Sequence, residues 1–283
     1  MSASKRTRNV LLIVAGSVAV VVVALVIAAP SILQAMGIHP EYTGQRYMLP
    51  EGKALIIATN HDELGDSGRE TGVFGSELTA PYYEFQGGRM DVDVASIEGG
   101  EIPFDPASFN YFIRSEYDER MLEDPVLQDK VENSLKIGDL DFTEYDIIFL
   151  AGGWGAAYDF GFSEELGQKI SEGYAAGAVV GGVCHGLLGL LNAVDENGDP
   201  LVEGRTIVAV TDKQVEELNI TMTPQHPERE LRAAGANFQS STAFRDFFAS
   251  HVEVDGRIVS GQNQNDGPEV ANLMMQVAGG SRR

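Results

Sequence analysis

Short apolar runs recur along the chain after residue 50, and each is long enough for one buried parallel strand. The runs end in polar or glycine-rich loops and alternate with segments whose apolar residues follow helical spacing. Such alternation predicts a flavodoxin-like α/β fold, a doubly wound, mostly parallel sheet with helices on both faces. The predicted strands are Lys53–Thr59, Met90–Ser96, Tyr145–Leu150, Val179–Val183 and Arg205–Thr211, followed by a hairpin within His251–Gln262.

The intervening helices carry terminal signals. Phe162–Gly177 has Ser163 as its N-cap and a glycine at its end, and Pro227–Gly235 has proline at its first position and glycine at its last. Tyr111–Leu140 is acidic and amphipathic, and it is predicted to be a helical excursion from the core. A cap over the site, a homodimer contact and a solvated acidic helix are the alternatives for this segment. Helices are also predicted within Thr71–Phe85 and Pro268–Val277.

The N-terminal pattern differs from the rest. Residues 1–9 contain Lys5, Arg6 and Arg8, and residues 10–29 contain no charge. Twenty helical residues span about 30 Å, the thickness of the hydrocarbon core, so a transmembrane signal anchor is predicted. The basic flank indicates a cytoplasmic N-terminus with the folded domain outside, and a cleaved signal peptide followed by secretion is the alternative. Residues 30–50 are predicted to be a linker, and residues 51–283 the globular domain.

The composition of the chain limits the classes of function that it can have. The 283 residues hold 20 Lys and Arg against 42 Asp and Glu, a formal charge of −22 that argues against nucleic-acid binding. The single cysteine allows no intramolecular disulfide. The glycine patterns of nucleotide-binding loops and the spacings of metal ligands do not occur, so neither a cofactor nor a metal is expected.

The one cysteine lies where a predicted strand passes into a helix-like apolar pattern, in the stretch Val179–Leu191. A thiol on such a turn projects from the sheet edge, and a helix N-terminus lowers its pKa and offers N–H groups to an oxyanion. A buried structural cysteine is the alternative. Two other predicted strands end near His61 and at Gly152-Gly153, and the carboxyl ends of parallel strands share one edge. These three loops predict a site around Cys184.

A series of short motifs runs from Lys53 to Val277. Among them are Glu77 ahead of Ala80-Pro81-Tyr82, the strand Asp91–Ser96, Gly152-Gly153-x-Gly155, Val183-Cys184-His185-Gly186 and Gly261-Gln262-Asn263. In this order they resemble the ThiJ/PfpI superfamily of glutamine-amidotransferase-like proteins, and within it the glyoxalase III-type and heat-shock chaperone branch. The resemblance covers essentially the whole part of the chain after residue 50.

The resemblance implies roles for individual residues. Cys184 is the expected nucleophile, His185 its base, and Glu77 a protonated carboxyl that donates to the sulfur. The backbone N–H groups of Gly153 and His185 are the expected oxyanion donors. The chain departs from the family at Trp154, where a histidine is usual. The third acid of the triad is also displaced, and Glu216 is the residue predicted to take its place, a two-member Cys–His site being the alternative.

A second motif competes with this assignment. Gln225-His226-Pro227-Glu228 matches the His-Pro-Glu of class I glutamine amidotransferases, although it follows Cys184 by only 42 residues. Proline and glutamate at the start of a helix explain the same letters without catalysis. The helix-start interpretation is preferred.

The function predicted for the chain is a membrane-anchored, Cys-dependent enzyme acting on a small carbonyl compound, of the glutathione-independent glyoxalase type. The residues alone support nucleophilic thiol chemistry, and the named reaction is implied by the resemblance. The alternatives are an amide or peptide hydrolase related to the glutamine amidotransferases, and a non-catalytic stress chaperone or thiol redox sensor.

Overall fold

The sheet that carries the site is formed by seven of the nine strands found within residues 2–281, the part of the chain that this computed structural model describes. Its strand order is β3-β2-β1-β4-β5-β9-β8, parallel throughout except between β8 and β9. The strands are β1 Lys53–Ala58, β2 Asp91–Ser96, β3 Leu135–Lys136, β4 Ile147–Leu150, β5 Val179–Val183, β6 Thr206–Val208, β7 Asn237–Gln239, β8 Val252–Asp255 and β9 Ile258–Gly261. Strands β6 and β7 pair separately in parallel.

Helices flank the sheet, as predicted. They are α1 Ser2–Ala35, α2 Gly75–Gly87, α3 Glu116–Met121, α4 Pro125–Glu132, α5 Ala156–Asp159, α6 Glu164–Ala176, α7 Asp212–Glu217, α8 Pro227–Ala233 and α9 Gly267–Ser281. The central strands β2-β1-β4-β5-β9 follow the order of flavodoxin-like sheets. The predicted mostly parallel α/β architecture is therefore confirmed.

Alternation along the buried strands divides the core into two layers. On β1, Ala54 and Ile56 face the layer of α2 and α9, whereas Leu55 and Ile57 face the layer of α6. All four side chains are fully buried, and burying an isoleucine or leucine contributes about 1.5–3 kcal/mol. Burial on both faces explains why the strand sequences are continuously apolar instead of alternating with polar residues.

The ends of α6 show how local signals set the boundaries. The hydroxyl of Ser163 accepts a hydrogen bond from the backbone N–H of Leu166 at 3.1 Å, which satisfies one of the free donors of the first turn. At the other end, Gly177 has φ 110°, a left-handed conformation that favours glycine. Both predicted ends of this helix are confirmed.

The segment Tyr111–Leu140 differs from the prediction. It forms two short helices, α3 and α4, and then adds β3 to the edge of the main sheet beside β2. Leu127 and Val131 of α4 are buried in the core, so the segment is part of the fold and not an excursion from it. The acidic residues lie at helix caps and at exposed positions. Their number led to the prediction of a solvated segment, although its apolar residues are buried.

The N-terminal helix α1 contains a stretch, Leu11–Ala35, long and apolar enough to cross a membrane, and a signal sequence near an N-terminus meets the same criteria. Met1 and the side chains of Lys5 and Arg6, part of the predicted basic flank, lie outside the described residues. The helix continues past Pro30 to Ala35.

The residues after α1, predicted to be a linker, dock on the domain. Ile38 and Leu49 are buried. The N–H of Leu49 donates to the carbonyl of Gly88 at the end of α2 (2.9 Å), and the N–H of Tyr47 donates to Asn272 Oδ1 on α9 (3.0 Å). This segment therefore joins the two helices that cover one face of the sheet.

Close backbone packing between β5 and β9 gives a test of the sheet. A Cβ at Gly181 would lie 1.7 Å from the carbonyl oxygen of Val259, so Gly181→Ala is expected to lower the free energy of unfolding by about 3 kcal/mol. At Gly87, on the exposed end of α2, a Cβ meets nothing within 4 Å, and Gly87→Ala is expected to be neutral or stabilising by up to about 1 kcal/mol. Chemical denaturation followed by fluorescence of the single tryptophan, Trp154, measures both. Equal effects of the two variants would contradict the described packing.

Candidate active site

Cys184 lies at the junction of β5 and a short 3₁₀ helix, Cys184–Leu190. Its φ of 57° is unusual for a residue with a side chain and indicates local backbone strain. A Cβ at Gly186 would lie 2.2 Å from the carbonyl oxygen of Leu150, so the turn packs directly on the end of β4. The strand, the turn and a helix follow one another as predicted, and the helix is of the 3₁₀ type.

The thiol of Cys184 is almost enclosed, with 6% of the residue exposed. Its Sγ lies 3.4 Å from Nδ1 of His185. The backbone N–H groups of Gly153 and His185 and the carboxyl group of Glu77 act on the pKa of the thiol, so they lie close to the sulfur. Residues from three segments, the β4 loop, the β5 turn and α2, therefore meet at one sulfur atom.

Glu77 reaches the thiol from the first turn of α2, and only 2% of it is exposed. Gly152 makes this approach possible. A Cβ at position 152 would lie 2.4 Å from Oε2 of Glu77 and 2.8 Å from Cβ of Cys184. The glycine thus leaves the space in which the carboxyl group and the thiol come together.

Burial controls the ionisation of this pair. It raises the pKa of Glu77 to about 8, and hydrogen bonds from Cys184 and from the N–H of Gly152 oppose the rise only in part. Burial also raises the pKa of the Cys184 thiol, and a negative charge on Glu77 raises it further. The resting pair is therefore uncharged at neutral pH. The sequence predicted a lowered pKa for the Cys184 thiol, and this prediction is wrong for the resting site. Burial raises the pKa by more than the N–H groups of Gly153 and His185 lower it.

His185 is buried against the thiol on one side and Trp154 on the other. The two rings have centroids 4.8 Å apart. Burial lowers the pKa of His185 to about 3, and the charge of His226 adds to the effect. The imidazole is therefore neutral at physiological pH, which is the protonation state that a general base requires.

His61 lies on the rim of this arrangement. Its ring stacks on Tyr158 with centroids 4.0 Å apart, and its Nε2 contacts the carbonyl of Glu63. A Cβ at Gly155 would lie 2.6 Å from the backbone oxygen of His61, so the loop after β1 and the glycine loop after β4 are in contact. The contacts described for His61 do not include Cys184.

Glu216 does not enter the site. It is exposed on the short helix α7, whose neighbouring residues Gln214 and Val215 are buried. Gln214 Oε1 accepts a hydrogen bond from the amide of Asn263 at 3.2 Å, which fixes the inward face of the helix. Nε2 of His185 has no hydrogen-bond partner among the described residues, Glu216 included. The prediction of Glu216 as the third acid is not supported, since its side chain points to solvent.

Two further buried residues act electrostatically on this centre, His226 on His185 and Asp266 on Glu77. The sequence named His226 only in the competing His-Pro-Glu motif, and it did not name Asp266. His226, at the N-cap of α8, is buried, and its Nδ1 lies 3.4 Å from Oδ1 of Asp212. Asp266 is buried, accepts the N–H groups of Gln262 (2.7 Å) and Asn263 (3.1 Å), and has its pKa raised to about 6 by burial. The motif that contains His226 was interpreted as the start of a helix, so His226 was not predicted to be a site residue. The Gly261-Gln262-Asn263 motif pointed to the loop of Asp266 but not to the acid itself.

Within residues 2–281, no group of three or more His, Cys, Asp or Glu side chains is arranged to hold a metal ion. The chemistry available at the site is that of a thiol, a neutral imidazole, a carboxylic acid and two backbone N–H groups.

Comparison with known proteins identifies the family. Residues 70–277 match the model of the DJ-1/PfpI family. The chain belongs to this family. The predicted resemblance is confirmed, and the relatives within the family include proteins of the glyoxalase III type.

Similarity to individual family members extends over most of the chain. The chain is 28% identical over 251 residues to "Glutathione-independent glyoxalase hsp3101" of Schizosaccharomyces pombe, covering 83% of this chain and 100% of that protein. It is similar to the structure of Francisella tularensis Rapid Encystment Protein 24 KDa (TM-score 0.74, 32% identity, 80% of this chain and 99% of that one). It is also similar to glyoxalase III of Candida albicans (TM-score 0.73, 26% identity, 80% and 97%).

The raised pKa of Glu77 predicts a pH-dependent stability. The unfolded chain loses this proton near pH 4.5 and the folded chain near pH 8, so the folded state loses stability as pH rises through that interval. Glu77→Gln removes the titration. The variant is expected to gain stability relative to the wild type between these pH values, with a slope of up to about 1.4 kcal/mol per pH unit. Urea unfolding at several pH values measures the difference.

Glu216→Gln is the control for removing one carboxylate, because Glu216 is exposed on α7. A stability difference between Glu77→Gln and the wild type that stays constant from pH 4.5 to 8 would show that the carboxyl group is not held in its buried, protonated state.

Proposed function

We propose that this protein is a Cys-dependent glyoxalase that converts small 2-oxoaldehydes, such as methylglyoxal, into 2-hydroxy acids without glutathione. The observation that carries the proposal is the convergence of Cys184, His185 and Glu77 at the carboxyl edge of the sheet, with Sγ 3.4 Å from Nδ1 of a neutral histidine. The glyoxalase names of the family relatives support the same reaction.

The first step is addition of Cys184 to the aldehyde. Sγ, on its nucleophile elbow, forms a bond to the aldehyde carbon while its proton passes to Nδ1 of His185. The aldehyde oxygen gains negative charge and accepts hydrogen bonds from the N–H groups of Gly153 and His185, which in the resting site lie close to the sulfur. The proton held by His185 then moves to this oxygen and gives a hemithioacetal.

The second step is an internal proton transfer. Neutral His185 removes the hydrogen from the former aldehyde carbon, and the electron pair forms an enediolate with the neighbouring ketone. The proton returns to the ketone carbon, and the hydroxyl proton on the former aldehyde carbon moves to the former ketone oxygen, which gives a thioester of the 2-hydroxy acid. The aldehyde carbon is oxidised and the ketone carbon is reduced, so no external redox partner is needed. Water then hydrolyses the thioester and restores the Cys184 thiol.

The enclosure of the site favours small substrates. Only 6% of Cys184 is exposed, and the ring of Trp154 covers His185. A peptide or a glutamine-bearing partner would have to displace this covering, whereas a three-carbon aldehyde needs only a narrow opening. The covering also disfavours a redox sensor, because sensor cysteines are exposed and have a lowered pKa.

The proposed reaction predicts a different loss of activity for each of two variants. Cys184→Ala removes the nucleophile and is expected to abolish formation of lactate from methylglyoxal. His185→Gln retains the thiol and is expected to lower kcat by about 10²–10⁴-fold, the usual contribution of a general base. The full-length protein is incubated with methylglyoxal in detergent without glutathione, and the lactate formed is measured with an enzymatic assay. Lactate formation that persists in Cys184→Ala would refute the proposal, and His251→Leu, in the β8 hairpin, is the control.

The proposal includes anchoring of the enzyme in a membrane by α1. The stretch Leu11–Ala35 has 25 residues, about 37 Å of helix, and its apolar side chains are exposed. The basic residues before it favour a cytoplasmic N-terminus, with the catalytic domain on the opposite side. Secretion after cleavage near Ala29 is the competing outcome.

Anchoring predicts that the full-length mass is retained and that the protein stays in the membrane fraction after an alkaline carbonate wash. Alkaline phosphatase fused to the C-terminus is expected to be active, and a fluorescent protein fused there is expected to be dark when export follows the Sec route. A mature chain that lacks the first 29 residues would replace the anchor with a signal peptide. A fluorescent and membrane-bound fusion would reverse the orientation.

A further inference from the structure

A cavity of about 300 Å³ lies where the end of α1 meets the first turn of α2, the start of α3 and the loop after β9. Three of the residues that line it are His39, Ser76 and Arg114. Each has a buried polar atom without a hydrogen-bond partner among the described residues, namely Nε2, Oγ and Nε in that order. Such atoms cost free energy in a folded protein, so three of them around one cavity call for an explanation. A polar ligand in the cavity would satisfy all three.

Ser76 is the most deeply buried of these residues. It lies in the first turn of α2, and only 1% of it is exposed. Its backbone packs close to the start of α9, since a Cβ at Gly267 would lie 3.6 Å from the carbonyl oxygen of Ser76. An alanine would fill the same place between the two helices without burying an unpaired hydroxyl group. The hydroxyl therefore indicates binding more than packing.

The other two residues are held at the cavity by separate contacts. His39 has a φ of 43°, which is uncommon for a residue with a side chain, and its backbone N–H donates to Oδ1 of Asn265 at 2.9 Å. Arg114 pairs through Nη2 with Oε1 of Glu119 at 3.0 Å, which leaves its Nε without a partner. Burial lowers the pKa of His39 to about 4, so its ring is neutral and Arg114 supplies the positive charge.

The three groups can serve one kind of ligand. The Nε–H of Arg114 and the hydroxyl of Ser76 are hydrogen-bond donors, and the neutral ring of His39 donates from Nε2 in one of its two tautomers. A phosphate group has enough oxygen atoms to accept from all three, and charge-assisted hydrogen bonds from arginine to phosphate are among the strong ones. The buried side of the cavity therefore fits a phosphate group.

The exposed side of the cavity has the opposite preference. Glu116 and Glu119 also line the cavity and are exposed, and the chain carries a formal charge of −22. Carboxylates at these positions repel a free anion and attract a cation. A ligand that carries an ammonium group beside its phosphate satisfies both sides of the cavity.

The position of the cavity along α1 indicates the source of such a zwitterion. The 25 helical residues of Leu11–Ala35 exceed by about five the 20 that cross the hydrocarbon core. Ser31 and Gln34, near the C-terminal end of this stretch, line the cavity. In a chain anchored by α1, these two residues lie at the depth of the lipid headgroups.

We propose that this cavity binds the headgroup of a zwitterionic phospholipid. Its phosphate accepts hydrogen bonds from Ser76, Arg114 and His39. Its ammonium group lies at the exposed carboxylates of Glu116 and Glu119. The lipid would thereby join the segment after α1 to α2 and α3. The lipid as the source rests on the proposed anchoring by α1, whereas the site itself is independent of the proposed glyoxalase reaction.

The site can be tested by titration calorimetry on the full-length protein in dodecyl maltoside, with glycerophosphoethanolamine as the probe. Saturable binding of one molecule per chain is expected. Ser76→Ala and Arg114→Gln are each expected to lower the affinity by about 10- to 100-fold, the usual contribution of a hydrogen bond to a charged group. Glu116→Gln is expected to lower the affinity for this probe by about 2- to 5-fold and to raise that for inorganic phosphate, because Glu116 is exposed.

Arg229→Gln is the matched control for Arg114→Gln. It removes another arginine paired with a carboxylate, that of Asp212 at 3.4 Å. Arg229 lies on α8, whose Leu231 packs in the core layer on the other side of the sheet from α2. This variant is expected to bind the probe as the wild type does.

The stability of the protein distinguishes a binding hydroxyl from a structural one. Because Oγ of Ser76 has no partner among the described residues, Ser76→Ala is expected to leave the urea midpoint of the unliganded protein unchanged or to raise it. Added phosphatidylethanolamine is expected to raise the midpoint of the wild type more than phosphatidylglycerol does. This difference is expected to disappear in Ser76→Ala and in Arg114→Gln.

The possible outcomes are distinct. Absence of binding, or equal affinity for the probe in the wild type, Ser76→Ala and Arg114→Gln, would overturn the site. Binding of the soluble probe without a preference for phosphatidylethanolamine over phosphatidylglycerol would overturn the lipid as its source. If Arg114→Gln does not fold, Ser76→Ala decides the question. Lactate formation enters none of these measurements, so a failure of the glyoxalase assignment would appear separately, in the comparison with Cys184→Ala.

Discussion

The site depends on excluding water from a thiol and a carboxylic acid that share one small volume. Neither group would hold its proton to such a high pH in solvent, and neither could approach the other if position 152 carried a side chain. The sheet achieves this by bringing the ends of β4 and β5 into direct backbone contact and laying the first turn of α2 across them. The same enclosure keeps His185 neutral.

Enclosure keeps His185 neutral, as a general base must be, and it also keeps the Cys184 thiol protonated. A protonated thiol is a weak nucleophile, so it must lose its proton when the substrate arrives and not before. The arrangement of His185 on one side of the sulfur and the N–H groups of Gly153 and His185 nearby fits this order of events, because these groups stabilise negative charge as it appears. Protection of the thiol and its reactivity thus have the same structural origin.

Much of the fold and part of the candidate site could be predicted from the sequence. The strands around Leu55, Ile148 and Val180 follow from apolar runs bounded by glycine, and the ends of α6 follow from Ser163 and Gly177. The meeting of Cys184 with Glu77 and Gly152 required the family resemblance, since a glutamate in a helix is ordinarily solvated. The third partner of the triad could not be predicted, because it depends on which face of a six-residue helix turns inward. One residue of rotation separates buried Val215 from exposed Glu216.

The docked segment after α1 has a mechanical consequence. The N–H of Leu49 donates to the carbonyl of Gly88, the C-cap of α2, and Glu77 lies in the first turn of that same helix. The segment therefore connects α1 to α2, the helix that carries Glu77. Trimming the chain at residue 51 would uncover the apolar surface beneath Leu49 and release the amide of Asn272 from Tyr47. A shortened protein would then differ from the whole one in the support of its carboxyl group, and its catalytic constants would describe a loosened site.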